Sequence, residues 1–210
     1  IATIESEINK KKFDEGDAWS SQHFKNGYSI SKYGAEMEVW RGSQEGVSSV
    51  IVNPGVILGP GFWKNGSGSI FTKIHKGLKF YSEGITGFVS VEDVALAMCR
   101  LMKEDIKNER FILVAENLRF KDVFFLIADN FGIKRPSIRV TPVMLSITWR
   151  LEYLKSVLTG KNPLLTKHSA KSIHEKRHYS SEKIKKRLGF EFESIPATVK
   201  KVCSAFRKAI

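Results

Sequence analysis

The sequence predicts an α/β fold, and three stretches carry that prediction. Residues 47–52 (Val-Ser-Ser-Val-Ile-Val), 88–90 and 110–114 are short and rich in β-branched and aromatic residues, and each is bounded by turn residues or by the start of a helical pattern. Residues 29–44, stopped by Gly46, 91–102, opened by acidic residues, and the amphipathic 120–131 read as helices interleaved with these strands. Strands that alternate with helices and carry near-continuous apolar runs suit a parallel sheet covered on its faces.

In chain order, Ile1-Ala2-Thr3-Ile4 reads as the tail of a strand. Residues 5–27 are polar, with Asn9-Lys10-Lys11-Lys12, Asp14-Glu15-Gly16-Asp17 and Asn26-Gly27 as turn signals, and predict a surface loop. Trp19 is expected to pack locally within it, and His23 to face solvent. The helix over 29–44 stops at Gly46, a suitable C-terminal cap. Asn53-Pro54-Gly55 breaks the next strand, and open α/β sheets bind ligands beyond such carboxyl ends.

Residues 59–69 form a Gly-rich loop without the Gly-Lys-Ser/Thr of a phosphate-binding P-loop. A helix over 70–76, a strand over 79–82 and a turn over 84–87 follow. Glu92 and Asp93 open the helix over 91–102, where acidic residues favour the first turn and act as caps rather than catalysts. Beyond Gly132, residues 138–140 are extended. Residues 144–158 are helical in spacing and closed by Gly160, and 164–173, 181–188 and 195–209 complete a mostly helical C-terminal part.

Tyr28 and Lys32 stand four apart, which places them one turn from each other on one face of a helix. A neighbouring ammonium favours the phenolate and brings a phenol toward working range as a proton-transfer group. Tyr28-x-x-Ser31-Lys32-x-x-Ala35-Glu36 is followed by Asn53-Pro54-Gly55-Val56-Ile57-Leu58-Gly59-Pro60 and by Phe88-Val89-Ser90-Val91-Glu92-Asp93-Val94-Ala95. In that order the three segments resemble the extended short-chain dehydrogenase/reductases of the NAD-dependent epimerase/dehydratase family. His178-Tyr179-Ser180-Ser181-Glu182-Lys183 with Leu188-Gly189-Phe190 is similar to that family's closing helix. Leu58, and Asn53-Pro54 at the head of the second segment, make the chain more similar to dihydroflavonol-reductase-like members than to nucleotide-sugar epimerases and dehydratases, which carry Arg-x-x-Asn-x-Tyr-Gly-Pro there.

The resemblance implies the C-terminal part of a doubly wound, Rossmann-like sheet over residues 1–60, and a small, mostly helical substrate-binding lobe over 61–210, with the strand and helix around 88–115 partly returning to the sheet. It implies an enzyme that moves a hydride between NAD or NADP and a carbonyl or hydroxyl carbon, with a nucleotide-sugar epimerase or dehydratase of the same superfamily as the alternative. Tyr28 exchanges the proton, Lys32 assists it and holds the nicotinamide ribose, and Thr3, or a serine upstream, polarises the substrate oxygen. Pro54, Gly55 and Val56 lie near the nicotinamide. Asn53, Phe62 and Trp63 are expected to contact substrate. No glycine-rich dinucleotide turn follows a strand in this sequence, so the expectation is a piece lacking roughly the first hundred residues of a nucleotide-binding half and inactive by itself. A homodimer of the complete protein is implied as well.

The 210 residues, 42% apolar and 11% aromatic, suit a packed core and exclude a disordered chain. No uncharged apolar run is long enough to span a bilayer. Cys99 and Cys203 have no ligand-like spacing and predict reduced thiols in a cytoplasmic protein. The net charge of +12 is concentrated at the end, where residues 161–210 hold 13 Lys and Arg against 4 Asp and Glu. No nucleic-acid module accompanies it, so a solvated helical surface is expected, with a non-catalytic nucleotide-binding or basic interaction protein as the alternative.

Overall fold

The computed structural model describes residues 1–4, 12–17, 19, 27–159 and 174–209. Strands and helices alternate along most of it. The strands are β1 (Lys12–Phe13), β2 (Val50–Pro54), β3 (Val56–Leu58), β4 (Phe80–Tyr81), β5 (Ile85–Ser90), β6 (Glu109–Leu113), β7 (Glu116–Arg119), β8 (Ile138–Arg139) and β9 (His178–Tyr179). The helices are α1 (Gly27–Gln44), α2 (Gly68–His75), α3 (Val91–Leu101), α4 (Phe120–Phe131), α5 (Pro142–Thr159), α6 (Glu182–Leu188) and α7 (Ile195–Ala209).

The segment from Val50 to Leu58 organises the sheets. Its first half, β2, pairs in parallel with β6, from Val50 opposite Glu109 to Pro54 opposite Leu113. Its second half, β3, pairs in parallel with β5, which in turn pairs antiparallel with β7. Gly55 is the switch between the two, with its N–H bonded to the Leu113 carbonyl at 3.0 Å. A Cβ here would lie 2.4 Å from the Gly87 carbonyl oxygen, so the backbones cross at a separation only glycine permits.

One apolar core lies between β3, β5 and the helices α2, α4 and α7, with Leu58, Phe71, Phe88, Ile127, Val199 and Phe206 at its centre. A second joins β2 and β6 to α3 and α6 through Val89, Ala97, Phe111, Leu113 and Ile184. A third is formed by Ile4, Phe13, Ile112, Val114 and Tyr179.

Several expectations are corrected. Residues 1–4 form a turn rather than a strand end, because the Ile4 N–H bonds back to the Ile1 carbonyl at 3.2 Å. Part of the expected surface loop is strand: β1 pairs with β9, and Phe13 is buried against Tyr179. The turn expected over 84–87 is mostly strand, since Ile85, Thr86 and Gly87 pair with Arg119, Leu118 and Asn117. The cap of α3 is Ser90, whose hydroxyl accepts the Glu92 N–H at 3.1 Å; Asp93 instead accepts the Glu193 N–H at 3.0 Å. Trp19 stacks on Tyr33 with ring centres 4.4 Å apart. His23 and the helix expected over 164–173 lie outside the described residues.

Candidate active site

The carboxyl end of β2, the switch at Gly55 and the adjoining face of α1 enclose a cleft of about 740 Å3. Thr3, Tyr28, Lys32, Glu36, Asn53, Pro54, Gly55, Val56, Ile57 and Ser67 all line it. Residues widely separated in sequence meet here because the sheet brings the end of β2 under α1. The ordinary helical stagger aims positions 28, 32 and 36 the same way.

Tyr28 is 65% exposed and stands at the open side of the cleft. The Lys32 ammonium sits 5.8 Å from the centre of the Tyr28 ring, within range of attraction to the π face. Pro54, Gly55 and Val56 form an uncharged wall, and Gly55 is required there by the backbone crossing described above.

Asn53 and Thr3 sit at the floor, both nearly buried. The Asn53 amide Nδ2 donates to Thr3 Oγ1 at 3.1 Å and to Glu36 Oε2 at 3.2 Å. Arg110 on β6 donates to Glu36 Oε1 at 3.1 Å from the other side. Burial by itself would raise the Glu36 carboxyl, but hydrogen bonds from Thr3, Arg110 and Asn53, with the Arg110 charge, hold it below the usual carboxylate range. The cleft floor therefore carries a fixed negative charge neutralised by one guanidinium. Among the described residues, Asn53 Oδ1 is buried with no hydrogen-bond partner. An uncharged wall, exposed phenol and ammonium groups and an open buried acceptor are features the nicotinamide-ribose end of a dinucleotide fits.

The other two expected site residues lie elsewhere. Phe62 is 83% exposed and borders a smaller groove of about 340 Å3 with Ile57, Gly59, Pro60, Asn65, Gly66, Ser67, Gly68 and Val91. Among the described residues that groove has no charged lining side chain, and it shares Ile57 and Ser67 with the cleft, so the two are neighbours. Trp63 turns inward, edge-on to Phe206 at 4.8 Å and to Phe71 at 6.4 Å. Half-buried, it packs against the core of the helical side and lines neither cavity. Glu36 and Arg110 were not among the residues expected in the site. The signal for Glu36 was its position one turn past Lys32; for Arg110 it was a lone cation inside an apolar strand.

The "Male sterility protein" family model, an NAD-binding family, matches residues 2–102. A dihydroflavonol 4-reductase-type protein of Synechocystis sp. is 27% identical over 93% of this chain and 59% of its own length. Cinnamoyl-CoA reductase 1 of Petunia hybrida is 29% identical over 54% of this chain and 36% of its own. The structure of a nucleoside-diphosphate-sugar epimerase from Pseudomonas aeruginosa superposes with a TM-score of 0.80 over 99% of this chain and 64% of that one, at 19% identity, which shows a shared fold. The chain thus spans only part of the relatives it matches. It matches an NAD-binding family model over just under half of its length, is similar in sequence to reductases, and shares the fold of an epimerase.

Proposed function

We propose that the complete protein is an NAD(P)-dependent reductase acting on an apolar ketone or aldehyde, or on the corresponding alcohol, with Tyr28 as its proton-transfer residue. The carrying observation is the cleft: Tyr28 and Lys32 face it together from α1, opposite the uncharged turn Pro54-Gly55-Val56 at the carboxyl end of a parallel strand. A bound nicotinamide supplies or accepts the hydride. When hydride adds to the carbonyl carbon, the Tyr28 hydroxyl gives its proton to the carbonyl oxygen, and the resulting phenolate is re-protonated from solvent. Lys32, one helical turn on and 5.8 Å from the Tyr28 ring centre, holds the ribose. Thr3 and Asn53 lie behind the reacting carbon, where Asn53 Oδ1 is free to accept a ligand hydrogen bond.

The adjoining groove favours an apolar substrate over a nucleotide sugar. Among the described residues that line it there is no Lys or Arg to meet a diphosphate, Lys64 of the same loop not being one of them, and Phe62 offers an exposed ring for stacking. In this reading residues 1–60, with the strand and helix around 88–115, supply the cofactor side, and the rest of 61–210 supplies the substrate side. A homodimer pairing α1, whose Ile30, Met37 and Val39 are exposed, belongs to the same reading.

The test uses the full-length protein. Tyr28→Phe is expected to lower turnover of an aromatic or aliphatic aldehyde about 100-fold or more, the usual scale of general acid catalysis, while NAD(P) affinity stays within a few-fold. Near-normal turnover by this variant, or strong preference for a nucleotide diphosphate sugar over every uncharged carbonyl offered, would overturn the proposal.

A further inference from the structure

We infer that Glu36 and Arg110 are positioning residues, a buried clamp that sets where α1 sits on the sheet and therefore where Tyr28 and Lys32 stand in the cleft. The inference rests on the proton-transfer reading of that pair.

The observation behind it is that, among the described residues, α1 has few buried contacts besides the stacking of Tyr33 on Trp19. Of its 18 residues only Glu36 and Ser43 are buried, while Ile30, Met37 and Val39 remain exposed. A helix that packs by an apolar stripe finds its register from side chains seated between those of its neighbour. Here the seated groups are polar, and polar contacts are directional. Ser43 shares a hydrogen bond with Ser49 Oγ at 2.8 Å, near the helix end farthest from Tyr28. Glu36 is the peg nearer the chemistry, one turn beyond Lys32 and two beyond Tyr28 on the same face.

Both oxygens of that peg are held, and from two adjacent strands. Oε1 accepts from Arg110 on β6 and Oε2 from Asn53 on β2. Arg110 has little freedom of its own. Its Nε and Nη2 donate to the Glu15 carbonyl at 2.9 and 2.8 Å, and Nη2 also reaches the Asp17 carbonyl at 2.7 Å. The Glu15 carboxylate in turn accepts the Ile112 N–H at 2.8 Å, two residues along the same strand. A planar guanidinium pinned by two backbone carbonyls presents its remaining N–H in one direction. One residue of helical rise is about 1.5 Å, far more than a hydrogen bond at 3.1 Å tolerates, so α1 cannot slide without breaking the clamp.

Two variants of the full-length protein test this. Glu36→Gln keeps the volume and an acceptor but removes the charge; Arg110→Lys keeps the charge but loses the fork. Amide hydrogen exchange along residues 27–40 is expected to accelerate about tenfold or more in both, while amides of α3 and α7 stay within about twofold of the parent. In the same variants kcat is expected to fall about tenfold or more, with KM for the carbonyl substrate within about twofold, because the substrate groove is untouched. If Arg110→Lys does not fold, Glu36→Gln alone decides. Unchanged exchange in α1 overturns the clamp whatever the protein catalyses, and a loosened α1 with unchanged kcat overturns its positioning role. Failure of the enzyme reading shows separately, as full activity in Tyr28→Phe.

Discussion

Glu36 and Asp93 are both acidic, both nearly buried and both on helices, yet their environments push them in opposite directions. For Asp93, burial raises the carboxyl and the nearby charges of Glu193 and Glu92 add to it, against only the Glu193 N–H and Lys201. For Glu36, the hydrogen bonds and the guanidinium win over burial. The signs of their pH dependence follow. A carboxyl raised in the fold costs stability above its folded value and stops costing once it is protonated. Asp93→Asn, which keeps an acceptor for the Glu193 N–H, is therefore expected to raise the thermal midpoint at pH 7, and the advantage should close as pH falls through the raised folded value toward the ordinary 3.8. A lowered carboxyl does the reverse: the Glu36 contribution is full above its ordinary 4.5 and is lost as pH falls through the lower folded value. Thermal melts of parent and Asp93→Asn across acidic and neutral pH check this, and a less stable Asp93→Asn at pH 7 would refute it. Both residues stood inside motifs visible in the sequence. Their burial was not visible, because Arg110 lies 74 positions from Glu36 and Glu193 lies 100 from Asp93.

At the scale of elements, helices α3, α4 and α7 and the parallel strands were legible because each carries its own period or β-branched run, whereas α1 has no apolar stripe and was legible from its Tyr28/Lys32 spacing and the stop at Gly46. The helices α3, α4 and α7 repeat apolar residues at helical spacing, and the predicted 120–131 and 195–209 coincide with the observed helices. The two-residue strands β1 and β9 have no such pattern; they exist because Lys12 and Phe13 find His178 and Tyr179 from the far end of the chain. The strand ending at Asn53 was expected to stop at Pro54-Gly55, but the chain continues straight into β3 after changing partners. That change depends on Gly55. Its missing Cβ leaves room for the Gly87 carbonyl, and Gly87 in turn lacks a Cβ that would lie 2.4 Å from Val114 Cγ2. Gly55→Ala must push backbone against backbone, so it is expected to destabilise by about 3 kcal/mol, at the upper end of ordinary overpacking. Urea unfolding measures this, and a loss below about 1 kcal/mol would show that the crossing is looser than its geometry implies.

Across the whole molecule, the part that carries the cleft and the part that closes the chain share a core rather than merely touching. Leu58 from β3 and Phe88 from β5 belong to the same apolar cluster as Phe71, Ile127, Val199 and Phe206 from three helices. Phe206 is the common neighbour: its ring meets Trp63 at 4.8 Å, His75 at 5.2 Å and Phe131 at 5.2 Å. It therefore joins the last helix to α2, to α4 and to the Gly-rich loop beside the groove. The basic surface contributes no such cohesion, since +12 on a chain of this size repels itself. Truncating Phe206 to Ala empties an aromatic volume where three elements meet and is expected to cost about 3–5 kcal/mol. If the shared cluster makes the chain one cooperative unit, the loss should appear as a lower urea midpoint of a single transition with unchanged slope, seen alike by far-ultraviolet circular dichroism and by tryptophan fluorescence. With Trp19, Trp40 and Trp149 replaced by Phe in both proteins, Trp63 alone reports on the helical side, while the circular dichroism also follows the sheets. Two separated transitions in the variant, with the fluorescence change preceding the loss of sheet signal, would mean that the helical side melts by itself and that the cleft keeps its walls without it.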